Sequence, residues 1–143
     1  MVLAQYYNFI RFGHEGYRYI METMQANARM LAERIAGDGY FELIGDREEQ
    51  LPLVAFRLTG DHPYDEFDVA SQLAAERGWM VPAYTLPPNA QDVTIMRALV
   101  KLTLGHGLAA TLADDITAAC KTLDHKGGLH ELDRKRVRTG VGY

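Results

Sequence analysis

From Leu3 to Ala36 the apolar side chains return at helical spacing, with Tyr6, Ile10, Gly13, Tyr17, Ile20, Met21, Met24, Ala28, Leu31 and Ile35 clustering on one face at about 100° per residue. Arg11, Glu15, Arg18, Glu22, Arg29 and Glu33 fall on the other side. They are spaced for i,i+4 pairs, Arg11 with Glu15, Arg18 with Glu22 and Arg29 with Glu33, but in the less favourable order of signs, so they mark a solvated face more than they stabilise it. Gly13 and Gly16 each cost about 1 kcal/mol of helix propensity relative to alanine, which points to a bend or a close approach. Gly37-Asp38-Gly39 stops the helix. Its start has no capping residue and crowds Tyr6, Tyr7, Phe9, Ile10 and Phe12 together, aromatic surface that calls for a neighbour.

The pattern then changes period. Tyr40 to Ile44 and Leu51 to Thr59 read as two strands joined by the polar turn Gly45 to Gln50, with Val54, Phe56 and Leu58 on one face. Asp65 can cap a helix running to Arg77, with Phe67, Ala70, Leu73 and Ala74 inward and Gly78 at its end. Trp79 to Ala83 reads as a short strand near a sheet edge because of Pro82, and Thr85 to Asp92, with Pro87-Pro88, as a loop. After a strand at Val93 to Lys101, Gly105-His106-Gly107 leads into a third helix with Leu108, Leu112, Ile116, Ala119 and Leu123 on one side, ended by Gly127-Gly128. The order helix, strand, strand, helix, strand, strand, helix predicts an α+β fold: a mainly antiparallel four-stranded sheet with helices on one face, preceded by a long N-terminal helix.

Chemistry concentrates on the last strand. Read with a two-residue period, it places Val93, Ile95, Arg97, Leu99 and Lys101 on one face and Thr94, Met96, Ala98 and Val100 on the other. Both faces are mostly apolar, so the strand is expected to be covered on both sides. An arginine there needs an anion, because an unpaired buried charge costs several kcal/mol and a guanidinium cannot escape by losing its proton. The residues alone leave two readings open. Arg97 snorkels to the sheet edge or pairs with a structural acid, or it is a carboxylate clamp, its planar fork matching two carboxylate oxygens.

The length, 143 residues, suits one domain with a real core, and the formal charge of −4 without a basic-aromatic tract argues against nucleic acid. No apolar run approaches the ~20 residues of a membrane span and Met1 is not followed by a signal-peptide pattern, so a cytoplasmic protein without membrane contact is expected. Cys120 alone excludes an internal disulfide and fits a small buried hydrophobe; the five histidines offer no pair at helical ligand spacing, and no metal is expected. The tail from Glu131 to Tyr143 carries Arg134, Lys135, Arg136 and Arg138 with almost no apolar periodicity, the pattern of a solvated or partner-docked end.

Three stretches, AQYYNFIRFGHEGY at Ala4 to Tyr17, GWMVPAYTL at Gly78 to Leu86 and IMRAL at Ile95 to Leu99, carry a resemblance. In order and spacing they resemble the carboxy-terminal part of the glutamate decarboxylases, pyridoxal-phosphate-dependent group II decarboxylases of the aspartate aminotransferase fold. The resemblance implies that residues 1–39 are a long helix linking to a large domain absent from this chain, 40–130 the small α+β domain and 131–143 a basic tail. It also implies that Arg97 binds a carboxylate of the substrate L-glutamate, the α-carboxylate by its place in the motif. It implies the conversion of glutamate to 4-aminobutyrate and carbon dioxide by a homo-oligomeric full enzyme, with this chain alone inactive.

Pyridoxal phosphate would be bound by the large domain. Lys101, Lys121, Lys126 and Lys135 stand in no matching context for its Schiff base, so neither a catalytic nor a cofactor-binding residue is assigned. The tail departs from the family: where some bacterial members have a penultimate histidine this chain has Gly142, and Arg134 to Arg138 lacks the bulky anchors of a calmodulin-binding helix. Two other readings stay open. One is a free-standing α+β ligand-binding or oligomerisation module associating through Tyr6 to Phe12; the other is the small domain of another pyridoxal-phosphate-dependent amino-acid decarboxylase.

Overall fold

Seven elements follow one another in the computed structural model, which describes residues 2–45 and 51–128. They are α1 (Val2–Gly37), β1 (Phe41–Ile44), β2 (Leu53–Leu58), α2 (Glu66–Arg77), β3 (Ala83–Thr85), β4 (Thr94–Leu99) and α3 (His106–Lys126). The turn expected over residues 45–50, apart from Gly45, and the tail expected over 131–143 lie outside the described residues. The sheet has the order β1-β2-β4-β3 with every pair antiparallel. This is the α+β arrangement anticipated from the element order.

Local signals account for most boundaries. Asp65 caps α2 by accepting from the Asp68 amide at 3.0 Å, while the Asp68 side chain accepts from the Asp65 amide at 3.3 Å. This reciprocal capping box satisfies two otherwise orphaned donors. Gly78 closes the helix and Gly127 closes α3. The core forms where α1 lies on β1 and β2, α2 on β3 and β4, and α3 against both helices. Leu31, Val69, Leu73, Ile116 and Leu123 from the helices meet Val54, Phe56, Met96 and Ala98 from the sheet. Phe41 and Phe56 meet edge to face, 5.1 Å between centroids.

Five expectations need correction, the first that Ala74 of α2 faces inward, since it is exposed. The stripe of α1 is buried only in its second half, at Ala28, Leu31 and Ile35, whereas Tyr6, Ile10, Tyr17 and Met21 are exposed. The apolar spacing continues past the point where the sheet and α3 end. The backbone also leaves helical geometry at Gly13 (φ 56, ψ −168), and a Cβ at Gly16 would stand 2.9 Å from Phe12 Cβ, so the two glycines supply a bend and a close approach. Arg18 pairs with Glu15 one turn back rather than forward with Glu22. On α3, Ala109 and not Leu108 faces inward, Leu108 being half exposed. The third strand begins at Ala83, where the run Trp79 to Ala83 was expected to be strand.

A polar clamp ties the end of α3 to the first strand and to the loop before α2. The Asp124 carboxylate accepts the Tyr40 hydroxyl on Oδ2 and the Tyr64 hydroxyl on Oδ1, each at 2.8 Å, and His62 Nδ1 lies 3.7 Å from Oδ1. Donating to this carboxylate, with help from burial, pushes the Tyr40 phenol up to about 12. Burial first and the Asp124 bond second raise Tyr64. Behind them Cys120 is fully buried, and burial pushes its thiol up to about 12, which makes it an inert core side chain.

The hydroxyls, Tyr40 first, hold the Asp124 carboxyl below its ordinary value of 3.8. A carboxyl lowered by folding contributes stability in full above that ordinary value and loses it as pH falls through the lower folded value. Asp124→Asn is therefore expected to lower the urea midpoint at neutral pH and to flatten its decline below about pH 4. Parallel acid limbs in the two proteins would rule the clamp out as a source of pH-dependent stability.

Candidate functional site

Because all three helices lie on one side of the sheet, the alternation along β4 sorts its side chains into two environments. Met96, Ala98 and Val100 point into the core, whereas Ile95, Arg97 and Leu99 belong to the other face. That second face was expected to be covered. In the structure Arg97 is exposed and Leu99 is 54% exposed, so burial does not by itself require Arg97 to have an anionic partner.

The register identifies what surrounds Arg97. Ala55 stands directly across on β2, Leu53 across from Leu99, and Ile44 across from Ala55 on β1. Ile95 is 5% exposed yet lies outside the core cluster, as a residue on this second face should. Arg97 thus rises from a mostly apolar sheet surface. Farther along the same face Glu42 stands opposite Arg57 and accepts from its Nε, which occupies that acid. Among the described residues no carboxylate lies within ion-pair distance of Arg97. Its side chain instead rests over Tyr84, with Cζ 5.5 Å from the ring centroid.

The strand that carries Tyr84 is mounted from behind. The Trp79 indole N–H donates to Asp115 Oδ2 on α3 at 2.7 Å, and Arg77 Nε lies 3.4 Å from Oδ1 of the same carboxylate. Val81 is buried, Pro82 O accepts the Arg97 amide at 3.2 Å, and Ala83, Tyr84 and Thr85 pair with Met96, Ile95 and Thr94. The Pro-rich loop folds on itself through Ala90 N to Pro87 O at 3.0 Å and Val93 N to Ala90 O at 3.1 Å. Arg97 was singled out from the sequence, but Tyr84 and Asp115 were not. Their roles depend on strand register and on the approach of α3, neither of which has a local signature.

These residues do not fit a pyridoxal-phosphate site. Lys101, Lys121 and Lys126 are all exposed, and Lys126 is engaged with Glu76 at 3.8 Å, so the described lysines offer no sheltered amine for a Schiff base.

The pyridoxal-dependent decarboxylase conserved domain matches residues 1–59. The glutamate decarboxylase of Petunia hybrida is 42% identical over 140 residues, which are 98% of this chain and 26% of that protein. This chain is similar over nearly its whole length to a part of the glutamate decarboxylases. A probable glutamate decarboxylase gamma of Listeria monocytogenes is 38% identical over 137 residues, covering 94% of this chain and 29% of that protein. The glutamate decarboxylase of Lactobacillus brevis superposes with a TM-score of 0.79 at 42% identity, covering 85% of this chain and 28% of its own. The chain therefore spans about a quarter of the length of the curated glutamate decarboxylases it matches.

The mount behind the site can be tested alone. Trp79→Phe keeps an aromatic side chain, though a smaller one, but deletes the donor to Asp115, whose side chain is only 14% exposed. A hydrogen bond to a charged acceptor is worth about 1.5–3 kcal/mol. Urea denaturation is expected to show a loss of about that size, and an unchanged midpoint would remove Asp115 as the anchor of this segment.

Proposed function

We propose that this chain is the carboxy-terminal small domain of a pyridoxal-phosphate-dependent glutamate decarboxylase, and that Arg97 binds a carboxylate of L-glutamate there. In this reading residues 1–39 lead from the large domain, 40–130 form the small domain and 131–143 a basic tail. The large domain holds the cofactor, whose ring supplies the electron sink for loss of carbon dioxide. The whole enzyme is a homo-oligomer of the cytoplasm.

One observation carries the reading. A guanidinium stands on an open, mostly apolar sheet face, and among the described residues no acid neutralises it. In water such a charge is merely solvated. Covered by a second body of protein, it would bind a carboxylate through two parallel N–H···O bonds in a medium where the attraction is much stronger. Fixing one carboxyl end of the substrate restricts how its bonds can turn against the cofactor, and this orientation is the share of catalysis assigned to Arg97. The exposed aromatic start of α1, with Tyr6, Tyr7, Phe9 and Ile10, supports the same reading as a surface for the large domain.

That aromatic surface also favours a second reading, a free-standing module that self-associates through it. Sedimentation of the chain with and without glutamate distinguishes the two. A compact species that binds glutamate tightly without pyridoxal phosphate supports the module.

In an intact enzyme carrying this segment, Arg97→Ala is expected to lower kcat/KM for glutamate by about 10–100-fold, the loss of one charge-assisted pair. Arg97→Lys is expected to recover only part, since a lysine cannot form the fork. Unchanged kcat and KM in the alanine variant would rule out the clamp.

A further inference from the structure

We propose that Tyr84 is the positioning residue for Arg97, its ring holding the guanidinium over the open sheet face so that the N–H fork is oriented before a carboxylate arrives. The proposal deepens the carboxylate-binding reading and rests on it for its functional arm. The structural arm stands on the geometry alone.

Register brings the two side chains together. Tyr84 lies directly opposite Ile95, so Arg97, two residues on, is its diagonal neighbour on the same face. That diagonal is within reach of aromatic and long side chains. Cζ of Arg97 lies over the Tyr84 ring at 5.5 Å, inside the range of a cation–π contact. The same pair of strands fixes the Arg97 backbone, whose N–H donates to Pro82 O two residues before Tyr84.

The choice of partner matters chemically. An acid beside Arg97 would also order the side chain, but it would neutralise the charge and occupy the fork. A ring's π-face attracts the cation while presenting no carboxylate to compete with a ligand. The nearest acid identified on this face, Glu42, is engaged with Arg57. Among the described residues the Tyr84 hydroxyl has no hydrogen-bond partner, so the ring is the contact that can restrain Arg97. An arginine side chain carries large rotamer entropy, and a restraint present before binding removes part of the cost of ordering it when the ligand arrives.

The test compares the unaltered chain with Tyr84→Phe, which keeps the ring, and Tyr84→Ile, which keeps strand propensity without it. Nitrogen-15 relaxation of the Arg97 Nε–H group reads side-chain order directly. Order is expected to match in the unaltered and Phe chains and to fall below about 0.6 in the Ile chain. The Ile95 and Arg97 backbone amides report whether β3 remains paired. If Tyr84→Ile disrupts that pairing, Tyr84→Thr, another strand former, replaces it in the comparison. In the intact enzyme KM for glutamate is expected to rise about three- to tenfold in the ring-less variant, with kcat within about twofold and rescue by Phe.

Equal Arg97 order with and without the ring overturns the proposal, as does a Phe variant as disordered as the Ile one. The two readings fail separately. If Arg97 order follows the ring but Arg97→Ala leaves turnover unchanged, positioning stands and carboxylate binding falls. If Arg97→Ala weakens glutamate use but Arg97 order ignores the ring, positioning alone falls.

Discussion

Everything in this structure depends on a sheet packed on one side only. Three helices crowd against one face of β1-β2-β4-β3, so the two-residue period of each strand divides residues that build the core from residues left to meet something else. Phe56 and Met96 are fully buried by this rule, while Arg97, one residue after Met96, is exposed by it. The same rule gives one strand a core face, with Met96 and Ala98, and a free face, with Arg97.

The sequence was most legible where structure is local. The Asp65 cap, the stop at Gly78 and the strand positions of Val54, Phe56 and Arg97 depend on residues a few positions apart, and all are present. Long-range arrangement was legible only in outline. Trp79 to Ala83 looked like strand because it is apolar, but the strand begins at Ala83; before it Trp79 is fixed on Asp115 of α3 and Val81 is buried in the core. The two-sided covering expected for β4 failed for a related reason. Composition records that Ile95 and Leu99 are apolar, but not whether their cover belongs to this sheet.

The polar anchors show how the open face is kept in shape from the covered side. Asp115 and Asp124, both on α3, each gather donors from elements distant in sequence: Trp79 and Arg77 for the first, Tyr40 and Tyr64 for the second. A carboxylate can accept several bonds at once, so two aspartates on one helix fix three separate segments. Neither announced itself in the sequence, because an Asp on an amphipathic helix has the same spacing whether it meets water or an indole.

Helical geometry breaks at Gly13, but burial on α1 begins only at Asn27. The last turns share in the cooperative unit of the core, through Ala28, Leu31 and Ile35, whereas the aromatic turns at its start draw nothing from that unit among the described residues. The earlier turns can therefore be re-aimed, or melted and reformed, without unfolding the sheet. The orientation of this exposed aromatic surface is thereby separated from the integrity of the domain that carries it.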